Sequence, residues 1–258
     1  MVETEPLSYC LATIKRAVRN VQEKLKPTHT IILIGGSNNF TLKLPLPEQY
    51  KSSRQSMLRP VHLEDCQKYV LKHYNSYKVC GVEADDVVQG LTQYINNQTE
   101  ARSIAYNIDK DFRQSLLPNQ MYNPNTERTE SFKGGVGELK DKFKGNGLKF
   151  LMEQVCLFDK IDCYCMNAHY LKRYGETSFI KDFNGFKTEK DVLGGVVNLW
   201  NRLLPEKTEF VDFNGIERSF TRLELGEVYF SCAYMKTSPT DDTTLKGLLD
   251  KYGVDYDS

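Results

Sequence analysis

Acidic residues in this sequence form three short clusters that could bind metal ions. The clusters, in chain order, are Glu83 with Asp85 and Asp86, Asp109 with Asp111, and Asp159 with Asp162. Carboxylate oxygens with no histidine or cysteine among them favour Mg²⁺ or Mn²⁺ over zinc. Two such ions about 3.5–4 Å apart are a standard arrangement for the in-line attack of water on a phosphodiester. The clusters therefore predict metal-dependent cleavage of nucleic acid.

The elements around the first two clusters would bring these clusters together. Apolar runs at 30–34, 77–82 and 103–108 predict strands, and apolar residues at helical spacing predict helices over 8–25, 62–74 and 84–95. This alternation is typical of an α/β protein with a doubly wound, mostly parallel sheet. Ligands of such sheets collect beyond the carboxyl ends of the strands. Both clusters would lie at that edge, where bound cations would relieve the repulsion among five carboxylates.

The chain after residue 112 has a different character. Residues 113–137 are polar and predict a boundary between an α/β core, residues 1–112, and a mainly helical region, residues 113–258. In the second region, periodic apolar residues predict helices near 148–158, 193–204 and 245–252, and Asn214-Gly215 predicts a hairpin. In the first region, residues 37–60 lack a clean period and contain several basic residues, which favours a long surface segment.

Each acidic cluster also has an ordinary structural interpretation. Asp85 and Asp86 in a first helical turn would complement the helix dipole, and Asp109 with Asp111 could belong to a simple turn. Asp159 and Asp162 differ, because they would follow the C-terminal end of a helix, where the dipole disfavours acidic residues. The functional interpretation therefore depends on all three clusters together.

Composition sets broad limits on the class of protein. The 258 residues contain 34 Lys+Arg and 34 Asp+Glu, so the zero net charge excludes a histone-like polycation but allows separate basic and acidic surfaces. No apolar run approaches the roughly 20 residues of a membrane span, and the N-terminus lacks the pattern of a secretory signal. Seven scattered cysteines favour reduced thiols and a cytoplasmic location, in the host cell if the protein is viral.

Three segments resemble the metal-binding motifs of the 5′-nuclease superfamily. They are residues 82–88 (VEADDVV), 107–112 (NIDKDF) and 158–162 (FDKID), in the same order and at similar spacing. This superfamily includes the flap endonucleases, the phage 5′→3′ exonucleases with the phage RNase H, and the 5′-nuclease domain of bacterial DNA polymerases. The resemblance covers roughly residues 8–185 and implies an α/β nuclease core followed by a helix–three-turn–helix element.

The resemblance also implies roles for individual acidic residues. Ligands of a first catalytic ion would be Glu83, Asp85, Asp109 and Asp111. Asp86 would lie close to that ion as a further catalytic residue, and Asp159 and Asp162 would bind a second ion. The implied cofactor is Mg²⁺, or Mn²⁺, with two ions per site.

Two further segments resemble the parts of these enzymes that contact DNA. Within 37–60, Lys51 and Arg54 resemble the basic arch segment and would hold the scissile or 5′ phosphate. Residues 170–179 resemble the turn of the helix–three-turn–helix element. There, Lys172, Arg173, Gly175 and Thr177 would contact phosphates of the duplex without reading its sequence.

The sequence departs from the superfamily pattern at several positions. The resemblance implies a first apolar strand that ends in a metal-binding Asp, whereas this sequence begins close to a helix that starts near residue 8. Gly36 and Thr41 stand where an Asp and an Arg are expected, and Cys163 and Cys165 replace a turn rich in Asn and Gly. These departures predict conserved architecture but leave catalysis open.

The sequence as a whole predicts a monomeric 5′→3′ exonuclease or flap endonuclease that acts at replication forks. Its partner would be DNA with 5′ flaps, nicks or RNA primers, with a replication protein such as a single-strand-binding protein as a further partner, and it would bind no membrane. One alternative is an impaired or truncated relative that binds branched DNA without cleaving it. A second is a PIN-type ribonuclease, against which the helical region around Asp159 and Gly175 argues.

Overall fold

The N-terminal part of the molecule alternates helices and strands, as the sequence predicts. The structure is a computed structural model that describes residues 5–54, 57–236 and 240–256. Its first elements are α1 (Leu7–Leu25), β1 (Ile32–Gly35), α2 (Leu63–His73), β2 (Ser76–Val79), α3 (Ala84–Gln98) and β3 (Ala105–Tyr106).

Strands β1 and β2 form the parallel pair that a strand–helix–strand order favours. Ile32 pairs with Ser76 and Gly35 pairs with Val79, with α2 as the crossover between the strands. All three apolar residues of β1 are only half-buried. Helix α1 contributes no fully buried residue and packs against α2.

The single doubly wound sheet expected from the sequence is divided into separate sheets in the structure. Strand β3 pairs in parallel with β4 (Asn119–Asn123), and β4 pairs antiparallel with β5 (Arg128–Phe132). Among the described residues β3 does not pair with β1 or β2. Helix α3 links the two sheets because it packs against strands of both. The α/β class and the parallel pairing are therefore confirmed, whereas the continuity of the sheet is not.

The polar stretch 113–137, expected to mark the boundary between the two regions, contains the β4–β5 hairpin. The sequence of β4 is rich in amides and gives no apolar alternation, although Asn119 and Met121 are buried. The buried Asn119 amide donates a hydrogen bond to the backbone carbonyl of Gln89 in α3 (3.4 Å). Strand formation here depends on such tertiary contacts, which a sequence pattern does not reveal.

The C-terminal part is mainly helical, as predicted. Its helices are α4 (Gly147–Cys156), α5 (Glu176–Phe183), α6 (Glu189–Leu203), α7 (Arg222–Ala233) and α8 (Leu245–Lys251). Two short antiparallel pairs accompany them: β6 (Phe158–Asp159) with β7 (Tyr164–Cys165), and β8 (Lys207–Val211) with β9 (Glu217–Thr221). The second pair is the hairpin predicted at Asn214-Gly215. Within the described ranges no helix is long and apolar enough to cross a membrane.

The main hydrophobic core is built around α4, which is buried along its whole length. It packs against α6 and α7, with Trp200 and Phe230 among the largest buried side chains. Leu46 and Tyr50 belong to the same core, so the segment 37–60 is not the surface segment expected throughout. Two short 3-10 turns, Phe40–Lys43 and Ser52–Arg54, lie within it. The sequence did not predict this burial, because the apolar residues of 37–60 follow neither a helical nor a strand period.

Candidate metal centre

One pocket collects most of the predicted site residues from distant parts of the chain. Six of the seven acidic residues line it, all except Asp159, and Lys51 lines it as well. Thr41, Tyr50 and residues 232–235 at the end of α7 complete the lining. The fold therefore brings together the acidic residues that follow β2 and β3, as the sequence predicts for strand ends. Their role as metal ligands remains a prediction.

Glu83 and Asp86 begin helix α3 and satisfy its first backbone amides. Glu83 is the N-cap residue, and Asp86 Oδ2 accepts a hydrogen bond from the Glu83 backbone N–H (3.1 Å). Burial, followed by the charge of Glu83, raises the pKa of Asp86 to about 8. Asp86 thus performs the capping function of the ordinary interpretation, and its carboxyl group is protonated more readily than a free aspartate.

Asp85, Asp109 and Asp111 concentrate negative charge in the pocket. Burial, and then the charges of Asp109 and Glu83, raise the pKa of Asp85. Burial and the charge of Asp109 raise the pKa of Asp111 to about 7. The Gln154 side-chain amide donates to Asp111 Oδ1, and Asp109 Oδ1 accepts from the Asp111 backbone N–H (2.9 Å). A bound cation would relieve this repulsion.

The two basic residues predicted to hold phosphate contact acidic residues of the site. The Lys51 ammonium forms an ion pair with Glu83 and lies 3.8 Å from Asp162 Oδ1. Arg54 Nη2 lies 3.2 Å from the same Asp162 oxygen. The buried Tyr50 hydroxyl donates to Asp162 Oδ2 (3.0 Å). Burial raises the pKa of Asp162, although Lys51 and the Tyr50 hydrogen bond oppose this rise.

Asp159 does not line the pocket and is almost fully buried, with 4% of its surface exposed. Its Oδ1 accepts hydrogen bonds from the backbone N–H groups of Ile161 (2.8 Å) and Asp162 (3.3 Å). Its Oδ2 lies 2.6 Å from the ammonium of Lys110. Burial lowers the pKa of Lys110, but the hydrogen bond and charge of Asp159 outweigh it, so the pKa is raised overall. Lys110 is therefore a charged partner of Asp159.

The chemistry of the pocket fits a divalent cation, but the side chains are not yet arranged around one. Within the described residues, no group of three or more His, Cys, Asp or Glu side chains is already placed to hold a metal ion. The Thr41 hydroxyl, which lines the pocket, is buried and has no hydrogen-bond partner in the described structure. An unpartnered buried hydroxyl beside several carboxylates indicates space for a further polar group.

Several contributors to the site had no assigned role in the sequence-based prediction. Lys110, Tyr50 and Gln154 each contact one of the acidic residues. The position of Lys110 between Asp109 and Asp111 was a usable signal, since a lysine there could pair with a nearby acid. The wall formed by residues 232–235 had none, because these residues are far away in the chain and mostly apolar.

The residues predicted to bind duplex phosphates do not line the pocket. Lys172, Arg173 and Thr177 are exposed, and Gly175 is the N-cap of α5. Helices α4 and α5 are joined by residues 157–175, which contain β6, β7 and a 3-10 turn at Met166–His169. The helix–three-turn–helix element and its phosphate contacts remain predictions.

Solved structures of a phage 5′-exonuclease and of a phage flap endonuclease share the fold of this chain. A structure of bacteriophage T5 5′-exonuclease with bound zinc has a TM-score of 0.59 and 16% identity, over 94% of this chain and 88% of that one. The T5 D15 flap endonuclease, in a pseudo-enzyme-product complex with DNA and metal ions, has a TM-score of 0.57 and 14% identity, over 97% and 91%. No family model matches the sequence, and neither does any curated protein. The likeness is therefore one of fold.

Proposed function

We propose that this chain is a divalent-metal-dependent nuclease that hydrolyses phosphodiester bonds at 5′ ends or flaps of DNA and RNA–DNA duplexes. The observation that carries the proposal is the convergence of Glu83, Asp85, Asp109 and Asp111 on one pocket. Burial, and then repulsion from the neighbouring carboxylates, raise the pKa values of Asp85 and Asp111. The fold supports the proposal because its structural neighbours are described as a 5′-exonuclease and a flap endonuclease.

Mg²⁺ or Mn²⁺ is the cofactor that the donor set favours, since all the donors are hard oxygens. When bound, the ion would neutralise the cluster and lower the pKa of a coordinated water. Glu83, Asp85, Asp109 and Asp111 would hold the first ion. The second ion predicted from the sequence would have to bind at Asp159 and Asp162, whose oxygens already accept hydrogen bonds from this chain.

The chain's own cations would bind the nucleic acid. Lys51 and Arg54 would turn from Asp162 toward the scissile or 5′ phosphate and stabilise the negative charge that develops on it. Exposed Lys172 and Arg173, with Gly175 and Thr177 at the start of α5, would contact phosphates of the duplex. We further propose that the chain is a cytoplasmic monomer that acts at replication forks, with a single-strand-binding protein as a partner.

The second candidate is a protein that binds branched DNA without cleaving it. It is favoured by the absence, among the described residues, of a ready-made set of three metal ligands. Thr41 in the pocket, where the resemblance implies an Arg, also favours it. A PIN-type ribonuclease is less well supported, because α4 and α5 form an extensive helical region next to the acidic residues.

Cleavage of a 5′-labelled flapped duplex tests the proposal. We expect products in Mg²⁺ or Mn²⁺, none in EDTA, and none with Asp109→Asn, which keeps the side-chain shape but removes the charge. Asp141→Asn at an exposed position is the matched control and should cleave like the wild type. If the wild-type chain binds the flap but never cleaves it, the non-cleaving candidate is correct. Equal cleavage by both variants would show that the acidic pocket is not the active site.

A further inference from the structure

The third acidic cluster is already neutralised by the chain's own cations. Asp159 pairs with Lys110 (2.6 Å), and Asp162 pairs with Arg54 (3.2 Å) and lies 3.8 Å from Lys51. Each of the four carboxylate oxygens also accepts a contact from a donor of the chain, including backbone N–H groups at Asp159 and the Tyr50 hydroxyl at Asp162. A second divalent ion would have to displace these donors and approach their positive charges.

The first site differs in its charge balance. Asp85, Asp109 and Asp111 form no ion pair with any lysine or arginine in the part of the chain that the structure describes. Glu83 is the one ligand of that set paired with a lysine, Lys51. The negative charge that needs a metal ion is therefore concentrated at this site and is largely compensated at the third cluster.

Lys110 is held in place more firmly than an ordinary surface lysine. Its backbone follows Asp109 and precedes Asp111, and its ammonium contacts the buried Asp159 from the neighbouring β6 strand. The same ammonium lies over the ring of Phe143, 5.4 Å from the ring centre, which adds a cation–π contact. A positive charge is thus fixed between the second and third acidic clusters.

We infer that this chain binds a single divalent ion, and that the ammonium of Lys110 takes the place of the second. The inference rests on the proposed function and narrows it, because Asp159 becomes a positioning residue for Lys110 instead of a metal ligand. The ion would bind at Glu83, Asp85, Asp109 and Asp111. The fixed charge of Lys110 would hold β6 against the Asp109–Asp111 segment with or without the ion.

Counting bound Mn²⁺ by electron paramagnetic resonance of the free ion, in the absence of nucleic acid, tests this assignment. We expect one ion per chain in the wild type, one in Asp159→Asn and none in Asp109→Asn. Lys110→Met leaves Asp159 without its cation and should raise the count to two, whereas Lys110→Arg keeps the charge and should bind one. Lys144→Met, at an exposed lysine, is the matched control and should also bind one.

Two results would overturn the inference. If the wild type binds two ions and Asp159→Asn binds only one, Asp159 is a metal ligand and the Lys110 ammonium moves away when the second ion binds. A count of one in Lys110→Met, with native circular dichroism, would show that the ammonium does not exclude a second ion. No bound ion in the wild type would instead overturn the metal-dependent function itself, so failure of the inference and failure of the function are distinguishable.

Discussion

The side chain of Gln114 forms hydrogen bonds with the backbone of Met235 and with the backbone of Ala233. Gln114 Oε1 accepts a hydrogen bond from the Met235 backbone N–H (3.1 Å), and its Nε2 donates to the Ala233 carbonyl (2.7 Å). Gln114 ends the 3-10 turn Lys110–Gln114, which begins directly after Asp109. One buried amide therefore fixes the α7 end of the pocket wall to the segment that carries two of its acidic residues.

Replacing Gln114 by Met should cost stability out of proportion to the small change in shape. The substitution leaves a buried N–H and a buried carbonyl without partners, at about 1–3 kcal/mol for each unsatisfied group. We expect the free energy of unfolding in urea to fall by about 2–6 kcal/mol. Gln120→Met removes contacts on the partly exposed face of β4 and should change it by less than about 1 kcal/mol. Equal losses in the two variants would contradict the structural role of Gln114.

Tyr50→Phe isolates one hydrogen bond of the site. The ring would keep its stacking on Tyr164, with centres 6.4 Å apart, while Asp162 loses the hydroxyl donor. Because the bond reaches a charged acceptor, we expect a loss of about 1.5–3 kcal/mol in the free energy of unfolding at pH 7. Exposed Tyr94→Phe should leave it unchanged. Unaltered stability in Tyr50→Phe would mean that Asp162 finds another donor.

Two helical glycines should respond to alanine with opposite signs. A Cβ at Gly226 in α7 would come within 2.5 Å of the Trp200 ring, whereas a Cβ at Gly194 in α6 would meet nothing within 4 Å. Gly194→Ala should stabilise the fold by up to about 1 kcal/mol through helix propensity. Gly226→Ala should destabilise it by about 1–3 kcal/mol through overpacking. Thermal unfolding of both variants measures the difference, and stabilisation by Gly226→Ala would show that α6 and α7 can separate freely.

Glu153 should make the stability of the fold depend on pH. It is buried in α4 with neither carboxylate oxygen hydrogen-bonded in the described structure. Burial, and then the charge of Glu176, raise its pKa to about 8, while Lys110 opposes the rise. A raised carboxyl pKa favours the folded state below the unfolded value of about 4.3, and this contribution is lost as the pH rises through about 8.

Glu153→Gln imitates the protonated carboxyl group and should remove this dependence. We expect its melting temperature to lie close to that of the wild type at pH 4 and to exceed it by several degrees at pH 9, because each pKa unit corresponds to about 1.4 kcal/mol. Glu206→Gln, at an exposed position, serves as the control and should follow the wild type at both pH values. A constant difference between Glu153→Gln and the wild type would rule out titration of Glu153 as the cause.

The local features of the fold were predictable from the sequence, and its long-range pairings were not. Helix α3 begins where the acidic run 83–86 and the following apolar period predict it, and the Asn214-Gly215 hairpin is confirmed. These features depend on interactions between neighbours in sequence. The choice of β4 as the partner of β3 depends on tertiary contacts, such as the bond from Asn119 to α3, which have no counterpart in a local pattern.

The same distinction applies to the site. Strand-end positions predicted that Asp85 and Asp109 would share a pocket, and the structure places them there. The sequence could not predict that Asp162 lines the pocket whereas Asp159 does not. This difference depends on the turn at 159–162, in which the Asp159 side chain accepts backbone hydrogen bonds. The approach of Lys110 from another segment then completes the environment of Asp159.

The wall contributed by residues 232–235 has a consequence for biosynthesis. During translation, the seven acidic residues of the three clusters leave the ribosome before α7 does. Until Gln114 can bond Ala233 and Met235, the nascent chain presents its carboxylates without the side of the pocket that encloses them. A nascent chain from which α7 has not yet emerged therefore lacks a finished site, so the proposed cleavage of nucleic acid would begin only after the segment up to Met235 has folded.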